Sequence, residues 1–127
     1  IDLSDEDKKD IELIEKILIE KGLEPTLLAD IINTSGQNPK RVGDLIHILI
    51  QKEKIQAISA NLYVHFNQLN HLKRIVMEYF KKNSTLAVVD FKDLTGLTRK
   101  TAIPMLEYLD KHEYTKREGN IRIAGKK

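Results

Sequence analysis

There is no cysteine in the 127 residues, which excludes a disulfide framework and a thiolate metal site. No apolar run is long enough to cross a bilayer and no signal peptide is visible, so a soluble, cytoplasmic protein that avoids the membrane is expected. The four histidines, His47, His65, His71 and His112, lack paired metal-ligand spacing, and neither metal nor cofactor is expected. No Gly-x-x-x-x-Gly-Lys-Ser/Thr stretch exists to hold a nucleoside triphosphate. Asp5-Glu6-Asp7 has no nearby partner base, and an acidic helix start is ordinary. With no catalytic constellation in view, the chain reads as a non-enzyme. A Gly/Ser- or Pro-rich linker is missing as well. The chain opens at Ile1 rather than at a methionine, which suggests a piece of something longer.

What is present is a charge asymmetry. Residues 1–67 hold 8 Lys+Arg against 12 Asp+Glu, a net of −4, whereas residues 68–127 hold 13 against 7, a net of +6; the two sum to the +2 of the whole chain. Such a split points to a polyanionic partner on the second half only. The length suits one domain or two very small ones, and units of about sixty residues bury little surface each.

The apolar periodicity repeats along the chain. Ser4 with Asp7 reads as a capping box. Ile11, Ile14, Ile17 and Leu18 follow at helical spacing, and Gly22 is a stop. A second helix is expected from about Pro25, with Leu27, Leu28, Ile31 and Ile32 inward, ending before Gly36. Asn38-Pro39 starts a third, burying Val42, Leu45, Ile46 and Leu49, and strands are expected at residues 55–58 and 62–66. A helix from about Asn67 turns Leu69, Leu72, Ile75, Val76, Tyr79 and Phe80 inward, and residues 86–89 form a short strand. Then come a short helix over residues 91–95, a break at Gly96, and a helix capped by the Thr98 hydroxyl. That last helix carries Arg99 and Lys100 at its start and the stripe Ile103, Leu106, Leu109 behind them. Strands at residues 114–117 and 121–124 flank the turn Glu118-Gly119-Asn120, where Gly and Asn tolerate positive φ. Leu45-Ile46-His47-Ile48-Leu49 lies over Met105-Leu106-Glu107-Tyr108-Leu109 at a period near sixty. The fold class expected is mainly α with small β-hairpins (α+β), as two tandem winged-helix modules, 1–67 and 68–127.

The run Leu97-Thr98-Arg99-Lys100-x-Ala102-Ile103-Pro104-x-Leu106-Glu107-Tyr108-Leu109-Asp110, followed by Thr115-Lys116-Arg117-x-Gly119-Asn120-x-Arg122, resembles the last winged-helix module of the bacterial selenocysteine-specific elongation factor family, SelB. The resemblance covers residues 68–127 well and residues 1–67 more loosely, as the preceding module of the same row. It implies an RNA-binding C-terminal fragment of a translation factor. The second module would grip the selenocysteine-insertion (SECIS) hairpin of an mRNA, so that selenocysteine enters at a UGA codon, while the first is a spacer. Ribosome and selenocysteinyl-tRNA would be reached only through an N-terminal GTPase part that this chain lacks.

The residues themselves agree with that reading. Arg99 and Lys100 occupy a helix N-terminus, where dipole and free amides favour phosphate. Lys92 on the preceding helix and Lys116, Arg117 and Arg122 on the hairpin are expected to converge on the same side as an electrostatic rim. Thr98, Gly119 and Asn120 complete the candidate set, the last two by letting a backbone approach closely at the hairpin tip. Pro104 leaves the Lys100 carbonyl without its usual helical partner, a tolerated kink or exposed polar backbone at the binding end. Tyr108 and Tyr114 could stack on bases, although Tyr108 neighbours the buried stripe and Tyr114 starts a strand; Phe91 reads as core. The major groove of A-form RNA is too narrow for a helix, so an RNA hairpin would be held by its phosphates and its unpaired loop bases. The alternative is a winged-helix transcription regulator on duplex DNA, which predicts a dimerisation element; no extra amphipathic helix offers one. A protein-interaction role suits the acidic residues 1–67.

Overall fold

One order of elements is built twice in the computed structural model, which describes residues 3–127. The first unit runs α1 (Asp5–Glu20), β1 (Thr26–Leu27), α2 (Leu28–Ser35), α3 (Pro39–Gln51), β2 (Ile55–Ser59) and β3 (Leu62–His65). The second runs α4 (Phe66–Lys82), β4 (Leu86–Ala87), α5 (Val88–Thr95), α6 (Arg99–Lys111), β5 (Thr115–Glu118) and β6 (Ile121–Ala124). Compactness divides the chain between Gln68 and Leu69, in the first turn of α4. Each unit is a winged helix: three helices with a hairpin, joined by a two-residue strand into an antiparallel sheet of order β1-β3-β2 or β4-β6-β5.

The repeat is visible in the backbone itself. Gly36 and Gly96 take φ of 70° and 75° after α2 and α5, and each amide closes its helix onto a carbonyl four residues back, Ile32 or Lys92. Such left-handed C-caps favour glycine because a Cβ would crowd the carbonyl. Glu53 and Glu113 also have positive φ, 57° and 66°, in the turns that lead from α3 to β2 and from α6 to β5. There the next amide, of Lys54 or Tyr114, donates to Leu49 or Leu109 at 2.9 Å.

The apolar spacing builds the cores. Ile11, Ile14, Leu18, Ile31, Val42, Leu45, Ile46, Leu49 and Ile55 pack as one buried cluster in the first unit. In the second, Leu69, Leu72, Val76, Leu86, Phe91, Met105, Leu106 and Leu109 are buried. Burial of each such side chain contributes about 1.5–3 kcal/mol. Ser4 and Asp7 form the expected capping box, and the Asn38 side chain accepts from the Arg41 amide at 2.8 Å ahead of Pro39.

Several expectations need correction. The second helix begins at Leu28, not near Pro25, because Thr26 and Leu27 pair with Tyr63 and Leu62 of β3; Leu27 is exposed rather than inward. Likewise the strand expected over residues 86–89 stops at Ala87, paired with Ile121. The Asp90 carboxylate accepts from the Ala87 amide at 2.9 Å, so α5 starts at Val88, three residues before Phe91. The β3 strand ends at His65, whose Nδ1 accepts from the Asn67 amide and whose Nε2 donates to the Glu15 carboxylate at 2.9 Å; Phe66 already belongs to α4. Strand β5 is displaced one residue from expectation because Tyr114 is used in the turn. Ile75, Tyr79 and Phe80 are half-buried rather than core. So is Ile103 of the expected stripe; Ala102 and Met105 take the buried places beside Leu106 and Leu109.

The largest departure concerns Arg122. It lies on β6, the centre strand, and is only 3 % exposed. Its Nη2 donates to Asp110 Oδ2 at 3.0 Å and its Nε reaches the same oxygen at 3.3 Å. The Thr115 hydroxyl donates to the other oxygen, Oδ1. A charged group can be buried here because the half-buried Asp110 carboxylate is hydrogen-bonded to it. Breaking such a pair from one side leaves an uncompensated charge. Arg122→Ala is therefore expected to lower the unfolding free energy by about 3–5 kcal/mol, and Arg117→Ala, the exposed residue directly across the sheet, by less than about 0.5 kcal/mol. Urea unfolding of the two variants checks this; equal effects would remove Arg122 from its structural role.

Candidate nucleic-acid interface

Strand pairing puts Arg117 of β5 opposite Arg122 of β6, so both side chains leave the same face of the wing. Facing them is the start of α6. Between the two lies a cleft of about 610 Å³ lined by Val88, Arg99, Ile103, Arg117, Asn120 and Arg122. Four of the nine residues expected at the site, Arg99, Arg117, Asn120 and Arg122, thus meet in one place.

The other five stand around it or elsewhere. Lys100 is exposed in the first turn of α6 beside Arg99 but does not line the cleft. Lys116 alternates to the other side of β5, where it lines a second cavity with Asp110, Thr115 and Lys126. Lys92 is half-buried in the last turn of α5. Gly119 sits at the wing tip with φ of 62°, and its carbonyl accepts from Arg117 Nε at 3.1 Å, which folds the Arg117 side chain along the wing. Thr98 is the N-cap of α6 by backbone geometry, but its hydroxyl caps no amide; it lies 3.5 Å from the Thr101 hydroxyl instead. The amides of Thr101 and Ala102 bond back to the Thr98 carbonyl. Those of Arg99 and Lys100, at the head of the helix, have no partner among the described residues, and they add the positive end of the dipole to the two side-chain charges.

Two cleft residues escaped the sequence reading. Ile103 was assigned to the core stripe, and Val88 to a strand. Asp90, three residues after Ala87, was the available signal that a helix starts at Val88.

No ion pair engages Lys92, Arg99, Lys100, Lys116 or Arg117 among the described residues. The first unit is built differently at the matching place. Arg41, in the first turn of α3, is bound by Asp7 at 2.7 Å and Asp10 at 2.8 Å. Those carboxylates push the Arg41 guanidinium up from its ordinary value, while Arg41 and the Ser4 cap hold Asp7 below its own. The helix start of the first unit has its arginine paired with two carboxylates, with Lys40 outside those pairs, whereas Arg99 and Lys100 of the second have no ion pair among the described residues.

Tyr108 and Tyr114 are not base platforms of this cleft. Lys73 of α4 lies 4.7 Å from the Tyr114 ring centre and 5.9 Å from that of Tyr108, and Tyr108 is buried, as core packing requires. The His112 ring lies against Tyr108, with centroids 4.3 Å apart.

The stretch 78–124 matches the family described as "Elongation factor SelB, winged helix". A selenocysteine-specific elongation factor of Desulfomicrobium baculatum is 32 % identical over 115 residues, 91 % of this chain and 18 % of the relative. Over residues 78–124 the chain carries the SelB winged helix, and it is similar to such a factor along most of its length. The factor of the same description from Escherichia coli K12 is 26 % identical over 102 residues, 80 % of this chain and 17 % of that protein; the chain spans under a fifth of the length of these curated relatives. Among solved structures, the mRNA-binding domain of elongation factor SelB from E. coli in complex with SECIS RNA superposes with a TM-score of 0.82 at 24 % identity, over 97 % of this chain and 99 % of that one. A bacterial selenocysteine-specific elongation factor EF-Sec gives 0.76 at 26 %, over 99 % of this chain and 20 % of that one. The SelB winged-helix match contains the cleft and all the residues that line it, Val88 to Arg122.

His112 supplies a pH prediction for this unit. Burial, followed by Lys73, Lys111 and Lys127, holds its imidazole below the ordinary 6.5. The folded state therefore binds this proton less readily than the unfolded state does. The stability involved is present above about pH 6.5 and is lost as pH falls below it. The thermal midpoint should drop between pH 7.5 and 5.5, and His112→Gln should reduce that drop. An unchanged drop in the variant would show that His112 does not contribute.

Proposed function

We propose that this chain is the part of a selenocysteine-specific elongation factor that holds the SECIS hairpin of an mRNA, so that selenocysteine is inserted at a UGA codon. The observation that carries the reading is the cleft between the start of α6 and the wing, with Arg99, Arg117 and Asn120 around it, inside the SelB winged-helix match. The net +6 of residues 68–127 against −4 before them supports placing RNA binding on the second unit, residues 68–127, and leaving a spacing role to residues 1–67. The pairing of Arg41 with Asp7 and Asp10 supports the same division.

The mechanism follows from the chemistry of the cleft. The Arg99 guanidinium and the open amides at the head of α6 converge on one phosphate group, with charge and dipole adding. Lys92, Lys100 and Arg117 add positive charge around them and neutralise further phosphates, each releasing counterions. Unpaired loop bases enter between α6 and the wing, where Val88 and Ile103 offer apolar contact. The chain has no catalytic part of its own in this account. GTP, selenocysteinyl-tRNA and the ribosome are engaged by other parts of such a factor, in the cytoplasm, and binding here brings that complex to the message. Duplex DNA is the weaker reading, since nothing in the family match favours it.

Full-chain protein titrated with a SECIS-type RNA hairpin and with duplex DNA of matched length, across a salt series, tests the proposal. The hairpin should bind more tightly at every salt concentration. Arg99→Ala should cost about 1–3 kcal/mol of hairpin affinity without moving the thermal midpoint, because Arg99 is exposed. Equal affinity for the two nucleic acids, or wild-type binding by Arg99→Ala, would overturn it.

A further inference from the structure

Arg122 is nearly enclosed, yet it lines the cleft. A guanidinium carries five N–H donors in a rigid fork. Two of its three nitrogens are committed: Nε and Nη2 both point to Asp110. Nη1 has no hydrogen-bond partner among the described residues. The only fully enclosed side-chain polar atom left without a partner among those residues is Thr26 Oγ1, in the other unit, so Nη1 is not fully enclosed, and the cavity that Arg122 lines is this cleft. A donor that is held in place, unpaired within the protein and not fully enclosed is available to a ligand atom that accepts from it.

From this we infer that Arg122 is a base-reading donor at the floor of the cleft, positioned by Asp110, and that Nη1 takes a carbonyl oxygen of an unpaired loop base rather than a phosphate. The inference rests on the RNA reading above. Charge decides between the two acceptors. Asp110 lies in direct contact with Arg122 and cancels its charge, so a phosphate at the floor meets attraction and repulsion together. A neutral base carbonyl pays no such repulsion and needs only a donor held in place. Asp110 holds it twice over, and Thr115 holds Asp110. Neutralisation also lets Arg122 sit directly opposite Arg117, where two bare like charges would repel. Val88 and Ile103 present apolar walls to the base faces, and the Asn120 amide at the rim offers both a donor and an acceptor. The unpaired cations Arg99, Lys100 and Arg117 hold phosphates at the rim, and the paired arginine below reads a base.

The test uses the full chain and a pool of RNA stem-loops with one stem and a randomised loop. The loop enriched by the wild type is compared with its single-base variants across a salt series. Arg117→Ala should weaken all loops by a similar factor and reduce the salt slope by about one. Arg122→Lys, checked for a cooperative melt, should keep the salt slope and lose roughly tenfold of the preference for the enriched loop. Asp110→Asn should lose the preference too and steepen the slope by about one, because it frees the Arg122 charge for phosphate. A merely structural Asp110 would not steepen that slope. Should Arg122→Lys fail to fold, nitrogen-15 spectra of wild-type arginine side chains decide: Arg122 Nη1 should shift with the enriched stem-loop and stay put with inorganic phosphate. A folded Arg122→Lys protein with the wild-type loop preference, a reduced salt slope in that variant, or unmoved Arg122 signals would overturn the inference. Tight binding of stem-loops without any loop preference would overturn this inference alone, and failure to bind stem-loops at all would overturn the RNA reading with it.

Discussion

The tie between the wing and the end of α6 is the constraint on which the second unit depends. Asp110, one residue before the end of that helix, accepts from Thr115 at the start of β5 and from Arg122 in the middle of β6. Both strands of the hairpin are thereby fastened to the helix whose other end carries Arg99 and Lys100. A two-stranded hairpin is marginal on its own; pinned to α6 and paired with β4, it becomes a fixed wall. The width of the cleft follows from this fastening, and so does the direction in which Arg117 and Asn120 face Arg99. Preorganised charges of this kind bind without first having to order their side chains, which is where much of the cost of binding arises.

The two units show how one backbone can be put to opposite electrostatic uses. Gly36 and Gly96, Glu53 and Glu113, and the strand orders correspond element for element. The difference lies in what surrounds the start of the third helix. In the first unit α1 sends Asp7 and Asp10 onto Arg41, and the basic group stabilises the packing of α1 against α3. In the second unit α4 carries no acid to Arg99 or Lys100, and those charges remain for a ligand. An acidic unit whose Arg41 is already paired with Asp7 and Asp10 attracts a polyanion less than the second unit does.

Much of this was legible in the sequence because it rests on local rules. The helical spacing of Ile11, Ile14 and Leu18, the Ser4 capping box, the Asn38-Pro39 start and the glycine C-caps each depend on residues within one or two turns. The placement of Arg99, Arg117 and Asn120 at one site followed from helix, turn and hairpin order. What escaped were effects of distant partners. Thr26-Leu27 and Leu86-Ala87 are extended because they pair with strands more than thirty residues away, and nothing in their own composition says so. Arg122 looked like one more basic residue of a hairpin; its burial depends on Asp110, twelve residues earlier on another element. Ile103 fits a stripe at three-residue spacing, but a helix turns every 3.6 residues, and the stripe drifts until Ile103 faces the cleft.

The central claim, that RNA is held between the start of α6 and the wing of the second unit, is tested most directly by hydrogen exchange at backbone amides with and without a bound stem-loop. The amides of Arg99 and Lys100 have no helical partner and should exchange rapidly in the free chain. With RNA bound, the account predicts slowed exchange at residues 98–101 and 117–122, and no change at the matching helix start, residues 38–41. Protection at 38–41, or unchanged exchange at 98–101 in a saturated complex, would contradict it.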